Sequence, residues 1–520
     1  MPLTISVLPP NVEAFSLARV SVTISDQGLW RLDEGDPNSY NLKLPIFPLV
    51  WSIVTGLAAL DPLAHLPWAL VFVTAAVVFP GYLLGLKVAR HRGVAAAAAL
   101  FLAAFGSFLF LTSGAMKESL GLLVFPIVVL LYAERTDPRK RGIAFVLLCL
   151  LPFLHHLVAL MALGAVSVVL VLHDRRALAQ GRLSGREFAL DVLTGPAAAI
   201  VAAAYYAYVK MFLFVEVTGV FGLSLLVAIV VVLLAASLRA VRPARVRAGR
   251  ALVTPASVAA LVPVLAVGAV LYNARQPIFT GTVTTEPALL LMLPAFVAIA
   301  GFGVIGFQVL RKTSNRGSDL VLAMLVASVA FILFGFLRGL DPVSFLVAYR
   351  SFDFMDFALA VLAGIGVAVA WRRLAGRRAA QVAVGAVFVA ALLGTAPMAW
   401  NTQAVFGLET TTTIGEFRAL EILASLGGRV TTDQRLAEVA LFWFEIPADG
   451  SLPLRLEAGE ELVADYALVL ERWTTVGASQ LHPAPNRILD RGILDAFLAE
   501  HTILFVSGPP GERVYLVRLA

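Results

Sequence analysis

The chain has 520 residues, 59% of them hydrophobic and 14% charged, with a mean hydropathy of +0.87. Soluble globular proteins carry about 25% charged residues, so this composition excludes a wholly water-soluble protein and implies a polytopic chain buried largely in lipid. The net charge of +6 sits mostly in short loops between apolar runs, where it sets orientation instead of attracting nucleic acid, and the single Cys149 excludes a disulfide framework or a Cys-based metal site.

Residues 1–66 are the least regular stretch. No basic region followed by an apolar one opens the chain, so no signal peptide is expected. The apolar run 45–60, marked by Pro45, Pro48 and Gly56, either crosses the bilayer or lies along it. The second reading is preferred, because it leaves 1–42 on the outer side. Further apolar runs follow at 67–86, 93–112, 119–133, 142–154, 157–172, 189–209, 217–238, 251–272, 287–310, 320–337, 357–370 and 380–399. Most approach the roughly 20 residues that a helix needs to cross hydrocarbon, and lipid cannot satisfy the free backbone groups of other structures. The two short runs flanking His155 predict a bent pair or a re-entrant hairpin, with Pro152 as the break.

The loops alternate in chemistry. Those at 87–92, 134–141, 173–187, 239–250, 311–319 and 371–378 are crowded with Lys and Arg, whereas 61–66, 113–118, 155–156, 210–216, 273–286 and 338–356 carry few. Placing the first set in the cytoplasm satisfies the positive-inside rule from residue 67 onward. It puts Lys117, Glu118, His155, His156, the 338–356 loop and everything after Trp400 on the outer side. Residues 401–520 are more charged and carry short β-type runs at 428–431, 466–470, 502–506 and 514–517, with helical stretches at 415–426 and 489–500.

The expected architecture is an all-α polytopic membrane bundle of about 12 to 13 transmembrane helices, with a small extracytoplasmic α/β domain at the C-terminus. Residues 1–66 form an outer loop-like segment with a membrane-associated helix, 67–400 the bundle, and 401–520 the α/β domain. The cell membrane is the expected location. No Gly-rich phosphate loop is present, so an activated substrate must arrive by another route.

The N-terminal segment orders its chemistry as Glu13-Ala14-Phe15, then Gly28-Leu29-Trp30, then Asp33-Glu34-Gly35-Asp36, then Tyr40 and Pro45-Ile46-Phe47-Pro48. This order resembles the first outer loop of the GT-C glycosyltransferases, the membrane enzymes that use polyprenyl-phosphate-linked sugars; they include oligosaccharyltransferases, protein O-mannosyltransferases and lipid A aminoarabinose transferases. The family has a spanning helix ahead of its leading acid, whereas a dozen residues precede Glu13 here. The resemblance implies that Glu13 is the catalytic base or acceptor-positioning carboxylate, where the family more often has Asp. Asp33, Glu34 and Asp36 would be a second acidic group, for catalysis or for a metal. Their hard oxygens suit Mg or Mn, although many family members need no metal; a solvated turn is the plain alternative.

Three further constellations fall on the outer side. Lys117-Glu118 interrupts two apolar helices, where Lys117 would bind a phosphate and Glu118 position a hydroxyl; a snorkelling Lys with a neighbouring acid is the alternative. His155 and His156 point about 100° apart on a helix and so rarely ligate one ion. The resemblance, whose members often carry a His at the outer end of a comparable helix, implies substrate binding by one of the two, with a hydrogen-bonded structural His as the alternative. Arg350 would bind the carrier phosphate beside Asp353, unless the two only pair to close a helix end. The resemblance implies transfer of a sugar from a polyprenyl-phosphate donor to a glycan, lipid or protein acceptor. A transporter or flippase for lipid-linked or small substrates, and a non-catalytic scaffold, are the rival readings.

Overall fold

The computed structural model describes residues 8–9, 11–114, 116–134, 137–170, 181, 184–211, 255–276, 287–312, 316–337, 342–400, 411–479 and 487–519. The apolar run 217–238 and the basic loop 239–250 lie outside the described residues. The rest is mostly helical, with one small sheet near the C-terminus.

Helix α1 (Val12–Gln27) starts where Asn11 Oδ1 accepts from the Glu13 amide at 2.8 Å, and it ends at Gly28 in the left-handed region with φ 69°. A turn and the single helical turn Ser39–Leu42 lead to α2 (Ile46–Ala58). Its 13 residues rise about 20 Å, short of the roughly 30 Å hydrocarbon core. It packs against α1 with Phe47, Trp51 and Thr55 inward, leaving Val50, Ile53 and Leu57 exposed.

Helices α3 (Leu66–Ala75) and α4 (Val78–Ala89) run together as one 24-residue apolar stretch. After them α5 (Arg92–Ala104) and α6 (Gly106–Ser113) form a pair bent by 62°. The bend falls at Phe105, and it seats Gly106 where a Cβ would lie 1.7 Å from the Thr395 carbonyl oxygen. The bundle continues with α7 (Lys117–Ala133), α8 (Pro138–Leu154), α9 (His156–Val169) and α10 (Gly185–Tyr208). Pro255–Asn273 forms a 19-residue apolar helix. Then come α11 (Leu293–Lys312), α12 (Arg316–Leu337), α13 (Pro342–Arg373) and α14 (Arg378–Gly394).

Among the described residues, six helices are long and apolar enough to cross a membrane, or seven with the bent pair counted as one span. The expectation of 12 to 13 covered the whole chain, of which the apolar run 217–238 lies outside the described residues. Runs 119–133, 142–154 and 157–172 form helices of only 17, 17 and 14 residues, because polar turns at Met116 and His155 cut the apolar sequence. The break between α8 and α9 lies at His155, whose backbone is extended (φ −163°, ψ 126°), three residues beyond Pro152. Large exposed apolar side chains such as Phe72, Phe79 and Ile200 mark the surface as lipid-facing, since water would penalise so many. The described helices form a bundle whose length and composition suit a membrane protein.

Helix α13 is the centre, packed by α5, α11 and α12. It meets α11 closely at reciprocal glycines: a Cβ on Gly306 would lie 1.8 Å from the Leu362 oxygen, and one on Gly366 2.0 Å from the Phe302 oxygen. The two ends of the bundle differ in chemistry. Helix α7 starts at Lys117-Glu118 and stops beside Glu134, which pairs with Lys87 and Lys140.

The C-terminal unit is an α/β fold of α15 (Ile414–Leu426), β1 (Val430–Thr431), α16 (Gln434–Phe444), β2 (Ala448–Asp449), α17 (Leu452–Ala458), β3 (Tyr466–Leu470), α18 (Arg491–Glu500), β4 (Thr502–Ser507) and β5 (Val514–Arg518). The sheet order is β2-β1-β3-β5-β4, parallel through β2, β1 and β3 and antiparallel thereafter. Trp473, Leu468 and Leu516 fill its core. Buried Glu416 binds Arg435 at 2.8 Å and also Arg472. The unit seats on α1: Phe15 stacks on Phe417 at 6.0 Å, and Arg19 pairs with Glu445 at 2.5 Å.

Candidate functional site

A cavity of about 400 Å³ opens where α1, the 37–41 turn, the starts of α7, α9 and α13, and α16 converge. Glu13, Tyr40, Lys117, His155, His156 and Arg350 line it, and Glu438 and Phe442 come from the C-terminal unit. Glu13, Lys117, His155 and His156 come at helix starts and Tyr40 in a short turn, where an apolar segment leaves polar groups clear of hydrocarbon, whereas Arg350 lies two turns into α13 and Glu438 one turn into α16.

Lys117 is the hub. Its side chain is 1% exposed, and its Nζ binds the Glu13 carboxylate, donates to Asn41 Oδ1 at 2.6 Å, and lies 4.3 Å from the Tyr40 ring centroid. A cation in the first turn of α7 opposes the helix dipole, so these partners do the stabilising. Burial pushes the Glu13 carboxyl up, but Lys117 and Arg350 outweigh it and hold it below the usual carboxylate range. Glu13 therefore stays ionised at neutral pH. Asn41 is itself tied down: its Nδ2 donates to Ser16 Oγ at 2.6 Å, and Ser16 Oγ donates to Asn38 Oδ1 at 2.5 Å. Asn38 in turn donates to the Phe442 carbonyl at 3.0 Å, which ties the turn to the C-terminal unit.

The second ion pair joins Arg350 to Glu118, 232 residues apart in sequence. Glu118 is fully buried behind the cavity wall, and its Oε1 has no hydrogen-bond partner among the described residues. Arg350 does not pair with Asp353. One turn further into α13, Asp353 is buried and its Oδ2 has no hydrogen-bond partner among the described residues, and Asp356 below it shows the same pattern. Neither lines the cavity.

His155 and His156, both candidates from the sequence, line the cavity together. The extended backbone at His155 lifts it off the helix, and the two rings stack at 4.7 Å with 17° between planes. Both Nδ1 atoms are buried without a protein partner among the described residues.

Asp33, Glu34 and Asp36 are not brought into the cavity. Asp33 and Glu34 are exposed, and Asp33 Oδ1 accepts from the Gly35 amide at 2.8 Å. Asp36 Oδ1 accepts from the Asn38 amide at 2.6 Å, and Glu34 meets Lys210 at 3.2 Å. Short acidic side chains next to a glycine close this turn on their own backbone. Among the described residues no group of three or more His, Cys, Asp or Glu could hold a metal ion.

Sequence reasoning passed over Asn41, Glu438 and Phe442. Asn41 sits beside Tyr40 in a turn already singled out, but nothing local marks it. Glu438 lies in an ordinary amphipathic helix of the distal unit. No protein-family model matches this sequence, and no curated protein matches it.

Proposed function

We propose that the chain is a GT-C-like glycosyltransferase that takes a sugar from a polyprenyl-phosphate carrier at the outer face of the membrane. The single observation that carries this reading is the convergence of Lys117, Arg350 and Glu13 on one cavity at the end of the bundle opposite the basic loops. Two cations within reach of a bilayer-edge cavity suit a lipid phosphate leaving group, whose charge they offset as the sugar–phosphate bond breaks. Glu13, kept ionised by Lys117, is suited to orienting an acceptor or balancing positive charge on the sugar. The C-terminal unit, extracytoplasmic in this reading, roofs the cavity with Glu438 and Phe442 and thereby restricts the acceptor.

The test uses membranes carrying the full chain and a panel of polyprenyl-phosphate hexoses and pentoses, each tritiated in the sugar. Tritium should leave the carrier in the parent and fall by about 100-fold or more in Glu13→Gln, the scale of lost electrostatic stabilisation. A diazirine-bearing polyprenyl phosphate should label the parent and label Lys117→Met and Arg350→Met poorly. Equal labelling of all three would remove the carrier-phosphate assignment.

One observation favours transport as a second reading. Asp353 and Asp356 are buried about 9 and 14 Å along the Val347–Arg373 span, where intramembrane acids commonly mark an ion path. Counterflow of the carrier between leaflets, abolished by Asp353→Asn with tritium transfer intact, would support it.

A further inference from the structure

We propose that Glu438 of the C-terminal unit, and not Glu13, is the base that takes the acceptor's proton. This rests on the glycosyl-transfer reading above. Two carboxylates line the cavity, and they are not equivalent. Glu13 is locked to Lys117, and Glu118 behind the wall is locked to Arg350. Both are spent on cations that a departing phosphate also needs. Glu438 has no cation partner among the described residues. Its Oε1 accepts one hydrogen bond, from Gln434 Nε2 at 2.6 Å, one turn back on α16. Gln434 thus orients the carboxyl without neutralising it.

The surroundings suit a base. Glu13 faces Glu438 from α1, Asp433 caps its own helix, and Lys117, Arg350, His155 and His156 stand around the same cavity. Burial pushes the Glu438 carboxyl up, the Gln434 bond draws it part of the way back, and smaller upward contributions come from Glu13 and Asp433. A carboxylate raised toward neutrality is a better proton acceptor than one held low by an ion pair. With a hydroxyl acceptor, the acceptor oxygen forms a bond to the anomeric carbon. The bond from that carbon to the carrier phosphate oxygen breaks, and its electron pair leaves with the phosphate beside Lys117 and Arg350. The hydroxyl proton passes to Glu438.

The test compares the parent chain, Glu438→Gln and Glu438→Asp in membranes, with the tritiated donor panel and the diazirine-bearing polyprenyl phosphate as probes. Glu438→Gln should label with the carrier within about twofold of the parent yet transfer sugar about 100-fold more slowly, the low end for loss of a general base. Glu438→Asp should recover part of the rate. The parent's transfer rate should fall on the acid side with a limb above the ordinary carboxylate range, and Glu438→Gln should lack that limb. A parental transfer rate in Glu438→Gln, or a loss matched by equal loss of carrier labelling, overturns the assignment alone. Failure of the parent to transfer from any donor overturns the glycosyl-transfer reading together with it.

Discussion

Charged side chains buried at a bilayer edge are expensive singly and tolerable in pairs. Lys117 and Glu13 show the arithmetic, since the lysine is 1% exposed and the glutamate 20%. Lys117→Met strands a carboxylate, and we expect a loss of about 3 kcal/mol, at the low end for a broken buried pair because Glu13 retains some water. Thermal unfolding in detergent measures it. The double variant Glu13→Gln/Lys117→Met should regain part of that loss, and a double variant less stable than the sum of the two single losses would contradict the pairing. Glu416 makes a second case in water. Burial pushes its carboxyl up, but Arg435 and Arg472 prevail and hold it below the usual range. A depressed carboxyl contributes stability that is complete above the ordinary carboxylate pKa and lost as pH falls through the folded value. Acid titration followed by tryptophan fluorescence should therefore show a steeper loss in the parent than in Glu416→Gln. Parallel curves would refute the linkage.

At the scale of elements, hydrophobic burial does not hold helices together in lipid, so close packing must. Gly306 and Gly366 let α11 and α13 touch backbone to backbone, and a methyl at either place meets a carbonyl oxygen that cannot move aside alone. Gly366→Ala should cost about 1–3 kcal/mol as the helices separate, read as a lower melting temperature in detergent. Gly301→Ala, which meets nothing within 4 Å, is the control on the same helix pair. Equal melting of the two variants would show that the contact is not tight. The same logic explains the bends. Phe105 and His155 interrupt helices where the chain must place polar groups or admit a neighbour, and hydropathy averaged over a window is blind to a one-residue break.

For the whole molecule, the two ends of the bundle are chemically opposed, and the orientation follows if the basic end is cytoplasmic. In a Cys149→Ser background, Glu445→Cys should react with a membrane-impermeant maleimide added to intact cells, and Arg372→Cys should not. The reverse pattern would place the cavity and the C-terminal unit inside the cell and defeat the lipid-linked donor scheme. The attachment of that unit rests on Phe15 against Phe417, with the Asn38–Phe442 bond, more than on the exposed Arg19–Glu445 pair. Exposed pairs contribute about 0–1 kcal/mol.

Hydropathy and residue type alone determined the class of the molecule, because lipid selects long apolar helices whatever their neighbours. They also placed most of the distal strands, at 430–431, 466–470, 502–507 and 514–518, since short β-branched runs between turns are a local signal. Glu13, Lys117, His155, His156 and Arg350 were legible as candidates because ionisable residues stand out in apolar sequence. Which of them meet was a decision of the tertiary structure. Lys117 reaches back 104 residues to Glu13, Arg350 reaches 232 to Glu118, and Glu438 arrives from another folding unit. The acids at 33–36 looked equally reactive on paper, yet they close their own turn. A charge announces itself in sequence through the cost of burying it, whereas its partner is chosen by packing among distant helices, for which no short stretch of chain carries a signal.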